Sequence, residues 1–271
     1  MNLRKPSDDP PSAERIVLLG TGTCQLQEDR RASSVLVELD GLRLVYDLGR
    51  GIADRLADLG YRQDDLRHIV FSHFHPDHVS DLVPFLQAAA WSRQDPRTED
   101  LHLWGPLGLE VQIMRILGLF GPDHITREHW RVRLHEVRGP REGEGRLEIE
   151  GRELGWAHLP PADNHGLAFE LGGRRVVLTG DSSFHAQEVG FLRGAHLAVI
   201  DSGHLEEREI VELAVQSGVG ILVCSHVYRE LDPAELEARA CEQGFGGRVL
   251  LGRDLDVFES GRDWSRPGSL R

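Results

Sequence analysis

Nine consecutive positions constrain this chain more than any other feature. They read His73-Phe74-His75-Pro76-Asp77-His78-Val79-Ser80-Asp81, three imidazoles and two carboxylates. The stretch follows the apolar run Ile69-Val70-Phe71 and precedes the helix-like Leu82-Val83-Pro84-Phe85-Leu86. Ionisable groups gathered at the end of a buried strand are costly unless a cation or protons neutralise them, so the pattern asks for a metal. Alternation along an extended segment puts His73 and His75 on one face, where two ring nitrogens can converge on one ion. Pro76 ends the strand, and Asp77 and His78 follow in a turn that lets them point at a second position close by. A lone histidine reads better as a solvated loop residue; here spacing, residue type and strand-end context agree on metal.

His73, His75, Asp77 and His78 spell H-x-H-x-D-H, and in this the chain resembles the metallo-β-lactamase superfamily. The opening segments Leu18-Leu19-Gly20-Thr21-Gly22-Thr23, Arg31, Ser33-Ser34 and Asp47-Leu48-Gly49-Arg50-Gly51 are similar to those of its tRNA 3′-processing and arylsulfatase-like branches. The resemblance covers about residues 15 to 258. It implies an α/β (α+β) fold, the αββα four-layer sandwich of two mixed β-sheets. It leaves the substrate open, because one scaffold carries many chemistries.

Length alone allows one domain or two in 271 residues, and 40% hydrophobic content suits a globular enzyme with a full core. No apolar run approaches the ~20 residues that span a bilayer, so no membrane partner is expected. Residues 1–14 are polar and lack an apolar signal region, which makes the cytoplasm the default location. Cys24, Cys224 and Cys241 are odd in number and far apart, which argues against a disulfide framework. A formal net charge of -13 disfavours broad binding to nucleic acid phosphates. No composition shift divides the chain, so it reads as a polar tail over 1–14, a single domain over 15–259 and a C-terminal tail over 260–271.

Strands are expected at Arg15–Leu19, Ser33–Leu39, Leu42–Leu48 and Leu66–Phe71, with a hairpin turn at Asp40-Gly41 and a helix from Gly51 to Leu59. Gly20-Thr21-Gly22 lacks the third glycine of a dinucleotide loop and the lysine of a P-loop, so it reads as a tight turn. A helix capped by Ser80 or Asp81 follows, then a strand over Leu101–Pro106 and an apolar helix over Leu109–Leu119, which either covers the core or forms a homodimer face. Further strands are expected at Arg131–Val137, Leu147–Trp156, Gly166–Glu170, Arg174–Thr179, Ala195–Ile200, Gly220–His226 and Arg248–Phe258. Helices are expected at Phe184–Phe191, capped by Asp181 or Ser182, and at Glu207–Val215 and Asp232–Gln243.

Several of these strands end in candidate ligands. In the resembling branches a metal-binding histidine closes a strand several residues before a glycine-containing strand, which favours His158 over His165. Asp181 resembles the aspartate that bridges two ions, and His226 the final ligand. The resulting site has His73, His75 and His158 around one divalent ion, Asp77, His78 and His226 around another, and Asp181 between them. Imidazoles with carboxylates suit two Zn²⁺ ions, and Mn²⁺ or iron accept the same set. Two ions ~3.5–4 Å apart can hold a hydroxide and clamp an ester or phosphate under attack. Asp77 is the candidate to orient that hydroxide. His204 is the candidate proton donor, by its resemblance to tRNA-processing and phosphodiesterase members.

The tRNA-processing members commonly insert a long RNA-binding arm before the bridging aspartate. Here only 23 positions separate His158 from Asp181. With the acidic balance, this favours a small-molecule substrate, a small phosphodiester or related ester, over nucleic acid. A tRNA 3′-processing endonuclease and an iron-dependent oxidoreductase are the alternatives. A non-catalytic protein is disfavoured by the intact ligand set.

Overall fold

The computed structural model describes residues 13–121, 127, 130–161 and 163–270. Among the described residues fifteen strands form two sheets, and the alternation in each strand explains the layering. In β1 (Arg15–Gly20), Ile16 and Leu18 pack into the core between the sheets, while Val17 and Leu19 pack outward beneath helices. Apolar residues on both faces mark a strand buried on both sides.

The eight-stranded sheet runs β15-β14-β1-β2-β3-β4-β5-β6. Its further members are β2 (Ser34–Leu39), β3 (Leu42–Tyr46), β4 (His68–Val70), β5 (Leu101–Gly105), β6 (Val132–Glu136), β14 (Asp256–Glu259) and β15 (Gly268–Ser269). From β3 to β6 neighbouring strands are parallel. The seven-stranded sheet runs β13-β12-β11-β10-β9-β8-β7. It comprises β7 (Gly145–Ile149), β8 (Arg152–His158), β9 (His165–Leu171), β10 (Arg174–Leu178), β11 (Leu197–Asp201), β12 (Ile221–Ser225) and β13 (Arg248–Leu251), parallel from β10 onward.

Helices cover both outer faces. On the first sheet, Ile52 and Leu56 of α1 (Ile52–Asp58), the buried face of α3 (Leu82–Trp91) and Leu109 and Ile113 of α4 (Leu109–Phe120) join one core. On the second, α5 (Ala186–Leu192), α6 (Glu207–Ser217) and α7 (Pro233–Glu242) bury Leu192, Ile210, Leu213 and Leu236 against the sheet. The four-layer sandwich of two mixed sheets is thus observed. No helix among the described residues is long and apolar enough to cross a membrane.

Three elements differ from the sequence reading. Leu147–Trp156 is two strands, because Glu150 and Gly151 both take positive φ (50° and 78°) and turn the chain back. Arg248–Phe258 also divides: β13 edges one sheet, and after Leu255 at φ 70° the chain enters the other sheet as β14. The helix expected from Phe184 starts at Ala186, with His185 as its cap, since the His185 ring accepts the Glu188 amide. The Asp81 carboxylate, expected to cap α3, instead accepts the Ala53 amide of α1 at 2.9 Å. Toward the C-terminus Trp264 joins the inter-sheet core, 2% exposed, and β15 extends the sheet. On α4, Leu109 and Ile113 are buried while Val111 and Met114 face solvent.

Gly20 and Gly22 make a close approach. A Cβ on Gly20 would lie 1.9 Å from the Ala32 carbonyl oxygen, so only glycine lets the 30–32 segment lie against β1.

Candidate metal centre

Parallel strands deliver their C-terminal ends to one rim, and both sheets contribute to it. From the first sheet come Asp47 after β3 and His73, His75, Asp77 and His78 after β4. From the second come Asp181 after β10, Asp201 at the end of β11 and His226 after β12. Pro76 occupies the first position of a one-turn helix, α2 (Pro76–Val79), with His75 before it in extended backbone, so the chain turns within the motif. The ring centroids of His73 and His75 lie 4.4 Å apart and those of His73 and His78 4.2 Å apart.

Three sets of ligand atoms gather within 4.8 Å: His73, His75 and Asp181; Asp77, His78 and His226; and Asp181, Asp201, His204 and His226. Asp181 lies between the first two. One of its oxygens is 3.6 Å from His73 Nε2, and the other is 3.0 Å from His78 Nε2 and 3.6 Å from His226 Nε2. Asp77 Oδ2 stands 3.4 Å from His226 Nε2 and 3.9 Å from His78 Nε2.

Surrounding hydrogen bonds fix which nitrogen each ring presents. His78 Nδ1 donates to Asp47 Oδ2 at 2.7 Å, which turns Nε2 inward. The Ser72 hydroxyl donates to Asp47 at 2.8 Å, so it accepts from His73 Nδ1 at 2.9 Å and leaves His73 Nε2 as the inward atom. His226, at φ 54°, has its Nδ1 held by Asp201 at 3.2 Å, and its Nε2 too faces Asp181. Carboxylate partners that orient ligand histidines in this way are a usual accompaniment of metal sites.

The inward atoms fit a cation. His73 Nε2, His78 Nε2 and Asp181 Oδ1 are buried and crowd on one another, with no other hydrogen-bond partner. Burial, with His78 beside it, pushes the His73 pKa down to about 3, which keeps its lone pair available. At His78 burial is outweighed by Asp181 and Asp47, which hold its pKa well above the ordinary value. His226 is raised to about 9, against burial, by Asp201, Asp77 and Asp181. Asp181 is held well below the usual carboxylate range, against burial, by His78, His226 and His73. The pocket therefore favours positive charge, and divalent ions meet that demand with this donor set.

Asp181 is itself positioned. Its amide donates to Asn164 Oδ1 at 3.1 Å, and Asn164 also donates to the Thr179 carbonyl at 2.9 Å. Gly180 precedes it at φ 63°, where a Cβ would fall 2.3 Å from Asn164 Oδ1. The Tyr46 hydroxyl joins the two sheets beside this point by donating to the His165 carbonyl at 2.6 Å.

His158 and His165 face one another across the β8–β9 pair, ring centroids 5.4 Å apart. Neither enters any of the three gathered sets. The His165 ring is buried against Trp156, and its Nδ1 donates to the Asp163 carbonyl at 2.9 Å. His158 is half-buried at the end of β8. His204 lies at the mouth, its Nδ1 2.5 Å from Asp201 Oδ2 and its ring stacked 5.4 Å from that of His226. Asp201 thus serves two histidines, a role the sequence reading did not assign; its signal was a strand ending in an acid three positions before a histidine. Ser72 and Asn164 were also missed, because single polar residues beside a motif carry no pattern of their own.

Comparison with known proteins accords with this geometry. Residues 28–226 match the family model for the metallo-beta-lactamase superfamily. A ribonuclease Z from Mycobacterium sp. (strain KMS) is 28% identical, the match covering 90% of this chain and 95% of that protein. Its alignment of 279 positions exceeds the length of this chain, so that relative carries residues with no counterpart here. The metallo-beta-lactamase fold protein YhfI from Bacillus subtilis superposes with a TM-score of 0.74 at 19% identity, covering 92% of this chain and all of that one. Human tRNase Z, short form, superposes with a TM-score of 0.67 at 19% identity, over 90% of this chain and 98% of its own. By its family match, its four-layer fold and its rim of histidines and aspartates, the chain belongs to the metallo-beta-lactamase superfamily and is a metal-dependent hydrolase.

Proposed function

We propose that the protein is a dinuclear phosphodiester hydrolase that acts on a small diester. His73, His75 and His158 would hold one divalent ion, Asp77, His78 and His226 the other, and Asp181 would contact both. The observation that carries this reading is the pair of buried imidazole nitrogens of His73 and His78 converging on the Asp181 carboxylate, with no other partner. Two bound divalent ions, Zn²⁺ or alternatively Mn²⁺ or iron, supply Lewis acidity that lowers the pKa of a water toward neutrality and offsets the charge of the attacked phosphate.

This chain's own residues do the rest. Asp77, half-buried with Oδ2 toward His226, accepts a hydrogen bond from the attacking water and aims it at phosphorus. The hydrogen bond to Asp201 raises the His204 pKa against partial burial, so the ring stays protonated to higher pH and can give a proton to the leaving oxygen. Asp201 aligns His204 and His226 together through its two oxygens.

The short 158–181 segment and the acidic balance support a small diester. A second reading, cleavage of precursor tRNA at its 3′ end, is favoured by the ribonuclease Z relatives. One panel separates them: metal-loaded protein offered bis-p-nitrophenyl phosphate, an aryl sulfate, a lactone and a precursor tRNA. The first reading expects turnover of the small diester. Turnover of precursor tRNA with no small-ester activity selects the second.

A further inference from the structure

Tyr228 stands two residues beyond His226 on the segment leaving β12. Its ring centroid lies 5.2 Å from that of His226 and 6.0 Å from that of His204, nearly perpendicular to both. Its hydroxyl is 3.2 Å from Sγ of Cys24, an exposed residue on the loop after β1. The ring is seated on Gly203, where a Cβ would come within 2.4 Å of Tyr228 Cδ2. Only glycine at 203 lets the ring lie this close to the histidine pair. The phenol is near enough to Asp77 and Asp181 to feel their charge. Tyr228 also lines a cleft of about 1480 Å³ shared with Gln27, Arg229 and Arg253. An aromatic ring, half-buried and anchored at its hydroxyl, therefore stands between the candidate metal centre and an open cleft.

We propose that Tyr228 is a specificity-determining residue that stacks on a planar aromatic group carried by the ester, so that aryl-bearing phosphates are taken in preference to alkyl ones. The proposal rests on the phosphodiester reading above. A π-face accepts any flat ring, and such stacking typically changes affinity 5- to 150-fold on truncation to alanine, from about 1–3 kcal/mol per base. The Cys24 contact and the Gly203 seat set the ring's orientation, and the cleft leaves room for what the planar group is attached to.

The test measures calorimetric binding of phenyl phosphate and methyl phosphate to the Zn²⁺-loaded protein, with metal content determined alongside. Wild type is expected to bind phenyl phosphate more tightly than methyl phosphate. In Tyr228→Ala the phenyl phosphate affinity falls about 10-fold, while methyl phosphate affinity and metal content hold. Tyr228→Phe keeps the preference, and Tyr228→Leu, which fills the volume without a π-face, loses it; the Leu and Phe pair carries the test if the Ala variant does not fold. Equal losses for both phosphates, or an unchanged preference in the Leu variant, overturn the proposal while diester turnover by wild type leaves the hydrolase reading standing. A wild type that binds neither phosphate and turns over no diester overturns both.

Discussion

Asp47 Oδ2 lies 2.7 Å from His78 Nδ1 and ties the end of β3 to the motif after β4. Asp47 is fully buried, sits at φ 62° and also receives the Ser72 amide at 2.7 Å. One carboxylate thereby sets the direction of His78 directly and of His73 through the Ser72 hydroxyl.

Asp47→Asn tests that arrangement without disturbing the backbone, since asparagine tolerates positive φ. The amide cannot accept from every partner Asp47 serves, so metal affinity is expected to fall 10- to 100-fold with the fold retained. Competition with a chromophoric chelator, alongside circular dichroism, reads both. Wild-type affinity would mean that the histidines are oriented without Asp47.

The two histidines of the β8–β9 pair separate in the same assay. His158→Ala and Asp181→Ala are expected each to remove bound metal and diesterase activity, while His165→Ala keeps both, because His165 is packed on Trp156 and bonded to the Asp163 carbonyl. The reverse result at the two histidines would make His165 the ligand.

Much of the fold was legible because both faces of most strands are buried, and long apolar runs with strand-end acids and histidines repeat through the chain. The strands β1, β2 and β10 and the helices α6 and α7 lie where periodicity places them. What failed was local. The chain reverses at Glu150-Gly151 and changes sheet over 252–255, at short polar segments lying between strand-like runs that were read as continuous. At the site, His73, His75 and His78 were readable from spacing, whereas Asp201, Ser72 and Asn164 owe their roles to hydrogen bonds that form only in the fold.

His204 predicts a leaving-group dependence. With its pKa raised chiefly by the hydrogen bond to Asp201, the ring is protonated below that pKa, and activity should fall as pH rises through it. His204→Ala is expected to slow hydrolysis of an alkyl leaving group 10²- to 10⁴-fold and of p-nitrophenolate far less, since the latter needs no proton. Asp201→Asn should move the alkaline limb to lower pH. Rate profiles with both leaving groups measure this, and equal slowing of the two would remove His204 from the proton donor's role.

Glu188 carries a separate pH signature. Its carboxyl is buried on α5, both oxygens without a hydrogen-bond partner, and burial, with Asp201 adding, pushes its pKa up to about 8 from 4.5. Between those values the folded chain holds a proton that the unfolded chain has released, so this group's contribution is full below about pH 4.5 and is lost as pH rises through 8. The slope within the window is about 1.4 kcal/mol per pH unit. Glu188→Gln should match wild type at the acid end and exceed it in urea midpoint at pH 8.5; parallel curves would show that Glu188 is ionised throughout.

We propose that His73, His75, Asp77, His78, His158, Asp181 and His226 together hold two divalent ions that drive phosphodiester hydrolysis. The most direct measurement follows bis-p-nitrophenyl phosphate turnover while chelator-stripped protein is titrated with Zn²⁺ or Mn²⁺ and bound metal is counted by mass spectrometry. The expected result is activity that rises with metal and saturates at two equivalents per chain. Protein that binds no divalent metal, or that saturates with metal and turns over no phosphodiester, contradicts it.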